Sequence, residues 1–392
     1  MKRQSVQGTR GGAIVIGGDY RGLGVVRSLG RRGIPVWVLT DNHRLAAFSR
    51  YATRSLPWPE TDQVNFLLAL CAQYSLDSWV VIPTGDEAAA LLSRHHAVLK
   101  ARLKLTVPTW DVLRYAYDKR LTYRLAADLN LAYPWTCYPQ ERADLENLHA
   151  PFPVILKPAI KEGFNSFVHD KAWEARDRAA LLDLYDQATA MVPRDLVMAQ
   201  EMIPGDGTTQ FSYAALCKDG EPLVSIVARR TRQYPTDFGR SSTFVESVDQ
   251  PQVEKISRAL LAALGYTGLV EIEFKRDPRD GEYKLLDINP RVWGWHTLGR
   301  RFGGDFAYLL WQLMQGEPVT ETRVPAGLHW VRGITDIAAV AQEMRQGRLS
   351  LGGYLRSFQR PLESAIFAFD DLLPALIEAP LLAQLALRRK AL

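Results

Sequence analysis

Leu269-Val270-Glu271-Ile272-Glu273-Phe274-Lys275 is followed after a turn by Leu285-Leu286-Asp287-Ile288-Asn289-Pro290-Arg291. These two runs decide the fold. Side chains alternate across a strand, so Glu271 and Glu273 share a face, and the same spacing predicts Leu285, Asp287 and Asn289 together on the next strand. The connector Asp277-Pro278-Arg279-Asp280-Gly281 is turn chemistry. An antiparallel hairpin then sets Glu273 beside Asp287. Adjacent carboxylates repel unless a cation lies between them, and hard oxygen ligands of this kind suit magnesium. Asn289 adds a neutral oxygen. Arg291, rigidly spaced behind Pro290, is placed to meet a phosphate oxygen or a developing oxyanion. A solvent-facing strand with ordinary charges accounts for the glutamates but accounts poorly for Asp-Ile-Asn-Pro-Arg.

Upstream of the hairpin, apolar runs at Ala13–Ile16, 35–39 and 78–82 alternate with helical spacing at 23–31 and 64–74. That alternation predicts a parallel α/β unit. Residues 111–135 read as helical, 152–157 as a strand, 172–191 as one long amphipathic helix and 196–200 as a strand. Between 211 and 290 strands dominate, interrupted by a helix at 252–264. The fold class is therefore α/β followed by α+β. The tail from about 320 reads as mostly helical. After the first strand, Gly17-Gly18-Asp19-Tyr20-Arg21-Gly22-Leu23-Gly24 has the composition of a phosphate-binding turn, with Asp41 where a ribose-binding acid sits. The run lacks GxGxxG spacing, so a tight turn that needs small residues stands beside a dinucleotide site as the alternative.

The 392 residues carry a net charge of +5, with 47% hydrophobic and 23% charged side chains. Acidic residues are interleaved almost throughout, so no basic stripe marks a nucleic-acid partner. An anionic small substrate such as a nucleotide fits the balance better. The three cysteines, Cys71, Cys137 and Cys217, show no CxxC or zinc spacing, which points to a reducing compartment. No apolar run reaches the ~18–20 residues of a membrane span, and a cytoplasmic protein is expected.

The hairpin resembles the ATP-grasp superfamily, in which a strand acid precedes a Glu/Asp-x-Asn-Pro-Arg strand. The resemblance covers about residues 12–320. It implies an ATP-grasp fold: a Rossmann-like pre-ATP-grasp domain over 1–112, an N-lobe over 113–200, a C-lobe with the metal site over 201–320, and a helical C-terminal extension over 321–392. In this pattern Lys119 looks like the lysine that approaches the α-phosphate of ATP. Lys157, in Pro153-Val-Ile-Leu-Lys157-Pro158, looks like the one that reaches phosphate and adenine. Gln200-Glu201-Met202-Ile203 looks like the adenine hinge, with Asp206 at the ribose. Residues 159–166 lie where a mobile loop over the triphosphate belongs. Glu273, Asp287 and Asn289 would hold Mg2+, in the family commonly two ions, with Mn2+ as a substitute. Asp287 departs from the Glu of many relatives.

A closer likeness is to carboxylate–amine ligases of the D-aspartate ligase-like group. It rests on Arg229-Arg230-Thr231-Arg232 through Thr243 and on Arg291-Val-Trp293-Gly294-Trp295. Physically, an arginine-rich strand with a Gly/Ser turn makes an anion clamp, and a charged edge strand is the plainer alternative. The resemblance implies a carboxylate activated as an acyl phosphate and then attacked by an amine. Lys119 and Lys157 would hold the triphosphate, Arg291 the oxyanion, and Arg230 and Arg232 the acid. Expected partners are ATP, a small carboxylate and an amine, and a homodimer is allowed. Another ATP-grasp reaction without an amine, a nucleotide-binding sensor and a nicotinamide enzyme are the alternatives. His296, after Trp295, departs from the small residues expected there; it either lines a substrate pocket or fills space.

Overall fold

In the computed structural model, residues 11–160, 167, 172–234 and 241–391 are described. The first apolar runs form a parallel five-stranded sheet in the order Arg54–Pro57, Val36–Thr40, Ala13–Ile16, Val80–Pro83, Lys104–Leu105. The order reverses beside Ala13–Ile16. A crevice opens at such a switch point, past the carboxyl ends of the strands. There, Asp19 caps the helix Tyr20–Gly30 by accepting from the Arg21 amide. The strand Val80–Pro83 leads to Asp86 at the start of the helix Asp86–Arg94.

A second, antiparallel sheet orders Thr136–Cys137, Val197–Glu201, Val154–Pro158 and Trp173–Ala175. Two helical expectations are corrected here. Residues 111–135 are helical only as far as Asp128, and in two pieces. Trp110–Tyr117 ends at Asp118, whose carboxylate caps a second helix, Lys119–Asp128. Residues 172–191 split into the edge strand Trp173–Ala175 and the helix Arg178–Thr189, capped by Asp177. A capping Asp prefers to satisfy orphan amides at a helix start rather than sit inside a helix.

The third sheet runs Tyr283–Asn289, Gly268–Arg276, Gln210–Lys218, Glu221–Tyr234, Ser241–Ser247, His329–Val331, Leu362–Ser364, with Thr322–Arg323 pairing to Glu221–Tyr234. The tail is thus more than helical. Its helices Gly333–Arg345 and Leu373–Ala391 accompany short strands that extend this sheet. Residues 366–371 reach back to the first sheet's helix. The buried Arg27 donates to Asp371 Oδ2 (2.8 Å) and to the carbonyls of Ile366 and Asp371 (2.5 and 2.7 Å). Ser49 and the Arg50 amide complete the Asp371 carboxylate. Breaking a buried pair of this kind by removing one partner costs about 3–5 kcal/mol. No helix among the described residues is long and apolar enough to cross a membrane.

Candidate active site

The hairpin registers as the alternation predicts at its acidic end: Glu271 faces Asn289 and Glu273 faces Asp287. At Leu285 the expectation fails. A bulge between Glu273 and Phe274 leaves Leu286 unpaired and shifts the pleat by one residue. Leu285 therefore turns into the core with Phe274 and Ile288, while Asp287 and Asn289 keep to the open face. A bulge re-aims side chains in this way and is common beside active sites. The Tyr123 hydroxyl donates to the Leu286 carbonyl (2.9 Å), which fastens the bulge to the helix Lys119–Asp128.

The open face is the floor of a cavity of about 1070 Å³ between the sheets. Every candidate named from the sequence lines it: Lys119, Lys157, Gln200, Glu201, Met202, Ile203, Asp206, Arg230, Arg232, Glu273, Asp287, Asn289 and Arg291. They differ in what else they touch. Lys119, nearly buried, places its ammonium 2.5 Å from Asp287 Oδ1. Lys157 stands 5.9 Å over the Tyr123 ring. Arg230 donates to Gln233 Oε1 (3.2 Å) and lies 3.7 Å from Glu273.

Among the described residues no group of three His, Cys, Asp or Glu is preformed for a metal ion. The donor set nevertheless fits magnesium, which typically takes one or two carboxylates and completes its shell with water and substrate phosphates. Two carboxylates stand side by side, and protein cations and N–H donors lie against them. The Asn289 amide nitrogen donates to Glu271 Oε2 (3.2 Å) and Glu273 Oε1 (3.1 Å), while its oxygen accepts from Arg291 (3.0 Å). Ligation through Asn289 therefore requires its amide to turn over. Glu271, which strand alternation places on the face of Glu273, lines the same cavity. Burial, and then the charge of Glu273, push its carboxyl up to about 7, and Trp295 Nε1 holds it at 2.9 Å.

Three sequence expectations need correction. Arg232 is not free to clamp an anion. Its guanidinium forms a buried two-point pair with Asp336 (2.8 and 2.7 Å), stacked 4.0 Å from Phe244. A shift in strand register at Thr231 separates its surroundings from those of Arg230. Glu201 is not placed to read a base with its carboxylate, which accepts from Arg279, Lys284 and the Trp135 amide. Burial works against its charge, but these donors outweigh it and hold the carboxyl below the usual range. The Met202 amide is likewise taken, by the Pro153 carbonyl (3.0 Å). Gln200 donates to Thr136 Oγ1, and Asp206 accepts from the amide and hydroxyl of Thr208. The expected loop over the triphosphate falls largely on 161–166 and the first part of the Gly/Ser turn on 235–240, which lie outside the described residues; the rest of that turn belongs to the strand Ser241–Ser247.

The first sheet supplies further partners, one of which, Asp86, no local pattern announced. Arg291 donates to Asp86 Oδ1 (2.9 Å), so an acid 205 positions upstream orients the arginine of the hairpin. Asp19, Tyr20 and Arg21 also line the cavity. The glycines before them are needed by the protein's own packing. A Cβ on Gly17 would lie 2.0 Å from Thr84 Oγ1, and one on Gly18 would lie 2.1 Å from the His43 carbonyl. That space is filled by protein atoms, which argues against a dinucleotide phosphate there.

His296 fills space and does not line the cavity. It is buried, donates from Nδ1 to the Trp293 carbonyl (3.0 Å), and lies so close to Gly24 that a Cβ there would come within 2.5 Å of the ring. Its Nε2 has no hydrogen-bond partner among the described residues. Burial lowers its pKa to about 4, against an ordinary value near 6.5. The unfolded chain therefore binds this proton more readily. Stability is full above pH about 6.5 and falls as the pH drops toward 4, by about 3 kcal/mol from this group. Urea midpoints of the wild type and His296→Asn at pH 7 and 4.5 check this. The variant is expected to lose much less between the two, and equal losses would contradict it.

No protein-family model matches the chain. Among curated proteins it is similar to D-aspartate ligase of Enterococcus faecium, at 25% identity over 301 residues, covering 71% of this chain and 70% of that protein. It is 26% identical over 148 residues to the carbamoyl phosphate synthase large chain of Methanobrevibacter smithii, covering 36% of this chain and 13% of that protein. Among solved structures it resembles L-amino acid ligase of Bacillus licheniformis, with TM-score 0.60 and 17% identity over 78% of this chain and 75% of that one. The ADP complex of N5-carboxyaminoimidazole ribonucleotide synthetase aligns with TM-score 0.64 and 14% identity, over 86% of this chain and 85% of that one. The chain carries the fold of these structures, the ATP-grasp fold, and is similar in sequence to D-aspartate ligase.

Proposed function

We propose that this protein is an ATP-dependent ligase that activates a carboxylate as an acyl phosphate and joins it to an amine, releasing ADP and phosphate. The observation that supports it most is the pairing of Glu273 with Asp287 beneath Lys119, with Arg291 at the end of the same strand.

In this reading Lys119 and Lys157 bind the triphosphate, and Lys119 exchanges its contact with Asp287 for a phosphate oxygen. Glu273, Asp287 and, after its amide turns, Asn289 would hold magnesium, two ions in the fullest form of the reading. The metal would supply neutralisation of phosphate charge. The substrate carboxylate attacks the γ-phosphorus, and the bond to ADP breaks. Arg291, held by Asp86, binds the oxyanion formed when the amine attacks the acyl phosphate. Most of the acceleration then comes from positioning and fixed charge. Gln200, the backbone around Ile203, and Asp206 form the nucleoside end of the cavity. Arg230 faces the acid, and Arg232 holds its strand in place through Asp336. The same reading places the protein in the cytoplasm.

Oxygen-18 in the carboxylate of the acid tests it. Released phosphate is expected to carry one labelled oxygen per turnover, and hydroxylamine in place of the amine is expected to yield a hydroxamate. Label that stays wholly in the product would rule out the acyl phosphate.

A further inference from the structure

The cavity extends past Arg291 to a wall made by Tyr20, Gly294, Trp295, Trp330 and Arg332. Trp330 and Arg332 come from the segment after residue 320, and Tyr20 comes from the first sheet's switch point. We propose that Arg332 is a specificity-determining residue that binds a carboxylate carried by a substrate at a distance from its reacting group. This rests on the ligase reading above and names the feature of a substrate that the site selects.

The four arginines at this end of the cavity are not equivalent. Arg21 donates to Asp19 at 2.8 Å and Arg291 to Asp86 at 2.9 Å. Arg230 donates to Gln233 and lies near Glu273. Arg332 has Nε buried without a hydrogen-bond partner among the described residues. Its nearest acid, Glu378, is 3.8 Å away, and Glu378 Oε1 is also without a hydrogen bond. Burial pushes the Glu378 carboxyl up, which weakens it as a counter-charge. A half-buried guanidinium with so little compensation is costly unless an anion joins it.

Its position is nevertheless fixed. The Arg332 amide donates to the Thr243 carbonyl (2.9 Å), and the guanidinium lies 4.2 Å over the Tyr20 ring. Tyr20 in turn contacts Trp330 (6.2 Å between rings), whose indole N–H is held by Thr297 (3.1 Å). A guanidinium stacked through its face keeps its edge N–H groups for a planar anion, the geometry that arginine offers a carboxylate. Gly294 lets Tyr20 pack close against this wall, since a Cβ there would lie 2.8 Å from the Tyr20 hydroxyl. Gly294 precedes Trp295, which holds Glu271, so the wall is continuous with the carboxylate hairpin.

Two kinds of molecule bring such a carboxylate: an acid with a second carboxylate, or an amine substrate that is itself an amino acid. The probes are aliphatic dicarboxylates of three to six carbons and α-amino acids, each beside the analogue in which one carboxylate is an amide. Binding is read from the rise in melting temperature with magnesium and the β,γ-imido analogue of ATP, for the wild type, Arg332→Lys and Arg332→Met. The wild type is expected to prefer at least one anionic probe over its amide by about tenfold or more, as one charge-assisted contact warrants. Arg332→Met is expected to bring that ratio to about one, with Arg332→Lys between them. Preference among the dicarboxylates assigns the site to the acid; preference among the amino acids assigns it to the amine. If the wild type shows no anion preference, or Arg332→Met keeps the ratio, the proposal is overturned. A lowered melting temperature with the ratio kept would mark Arg332 as a staple on Tyr20 alone. A wild type that prefers the anion yet releases no ADP with any acid and amine pair overturns the ligase reading and leaves the anion subsite standing.

Discussion

Asp287→Asn is expected to lower ADP formation by about 10³-fold while the protein stays folded. Asp287 is one of only two carboxylates that face each other across the hairpin, and it accepts the ammonium of Lys119 at 2.5 Å. The amide keeps the shape of the side chain but removes the charge. In the proposed reaction that charge positions Lys119 for the triphosphate and makes the pair with Glu273 a site for a hard cation. Losses of about 10²–10³ follow the removal of a single preorganised group at a reacting centre, and this change disturbs two. The strand itself is held by backbone pairing, so far-ultraviolet circular dichroism should be unchanged. Magnesium should also cease to strengthen binding of an ATP analogue. Turnover near the wild-type level would remove Asp287 from the reaction.

Arg291→Met is expected to reduce the turnover number by about 10²–10³-fold and to change the KM for ATP by less than about twofold. Its guanidinium is aimed by Asp86 and by Asn289 Oδ1. In the proposed reaction it meets charge that develops only after the amine attacks. Because Asp86 acts through Arg291, its effect should vanish once the arginine is gone. Asp86→Asn alone should slow turnover by roughly tenfold or more, and Asp86→Asn with Arg291→Met should be no slower than Arg291→Met. Residues acting as one unit are non-additive in this manner. Fully additive losses would mean that Asp86 serves some other purpose.

The hairpin was legible because its information is local. Alternation, a turn of Asp, Pro and Gly, and Asn-Pro-Arg together predict the Glu273–Asp287 pair, and register fixes it. Leu285 is misplaced by alternation because a bulge has no signature in a two-residue period; the hydrogen bond from Tyr123 that fastens it comes from a distant helix. Arg232 and Glu201 show the opposite difficulty. Their residue types and spacing suit a ligand site, but whether a charged side chain is available depends on who else claims it. Asp336 and Arg279 lie 104 and 78 positions away from them. Asp86 was invisible for the same reason, since its spacing from Arg291 follows from the docking of two sheets. The breaks at Asp118 and Asp177 were readable in principle, because an Asp before an apolar-periodic run is a capping signal that outranks helical periodicity.

The pairing of Arg27 with Asp371 spans 344 positions, and it has a bearing on how the chain is made. A ribosome adding about 5–20 residues per second takes roughly 20–70 s to cover that interval. Throughout that time the helix Tyr20–Gly30 exists without the carboxylate that neutralises its inward-facing arginine. The nascent first sheet must therefore wait in a state whose outer layer is incomplete, with Arg27 solvated rather than sealed. Biogenesis of this protein is consequently expected to close late, with its earliest-made sheet secured only after residue 371 has been added.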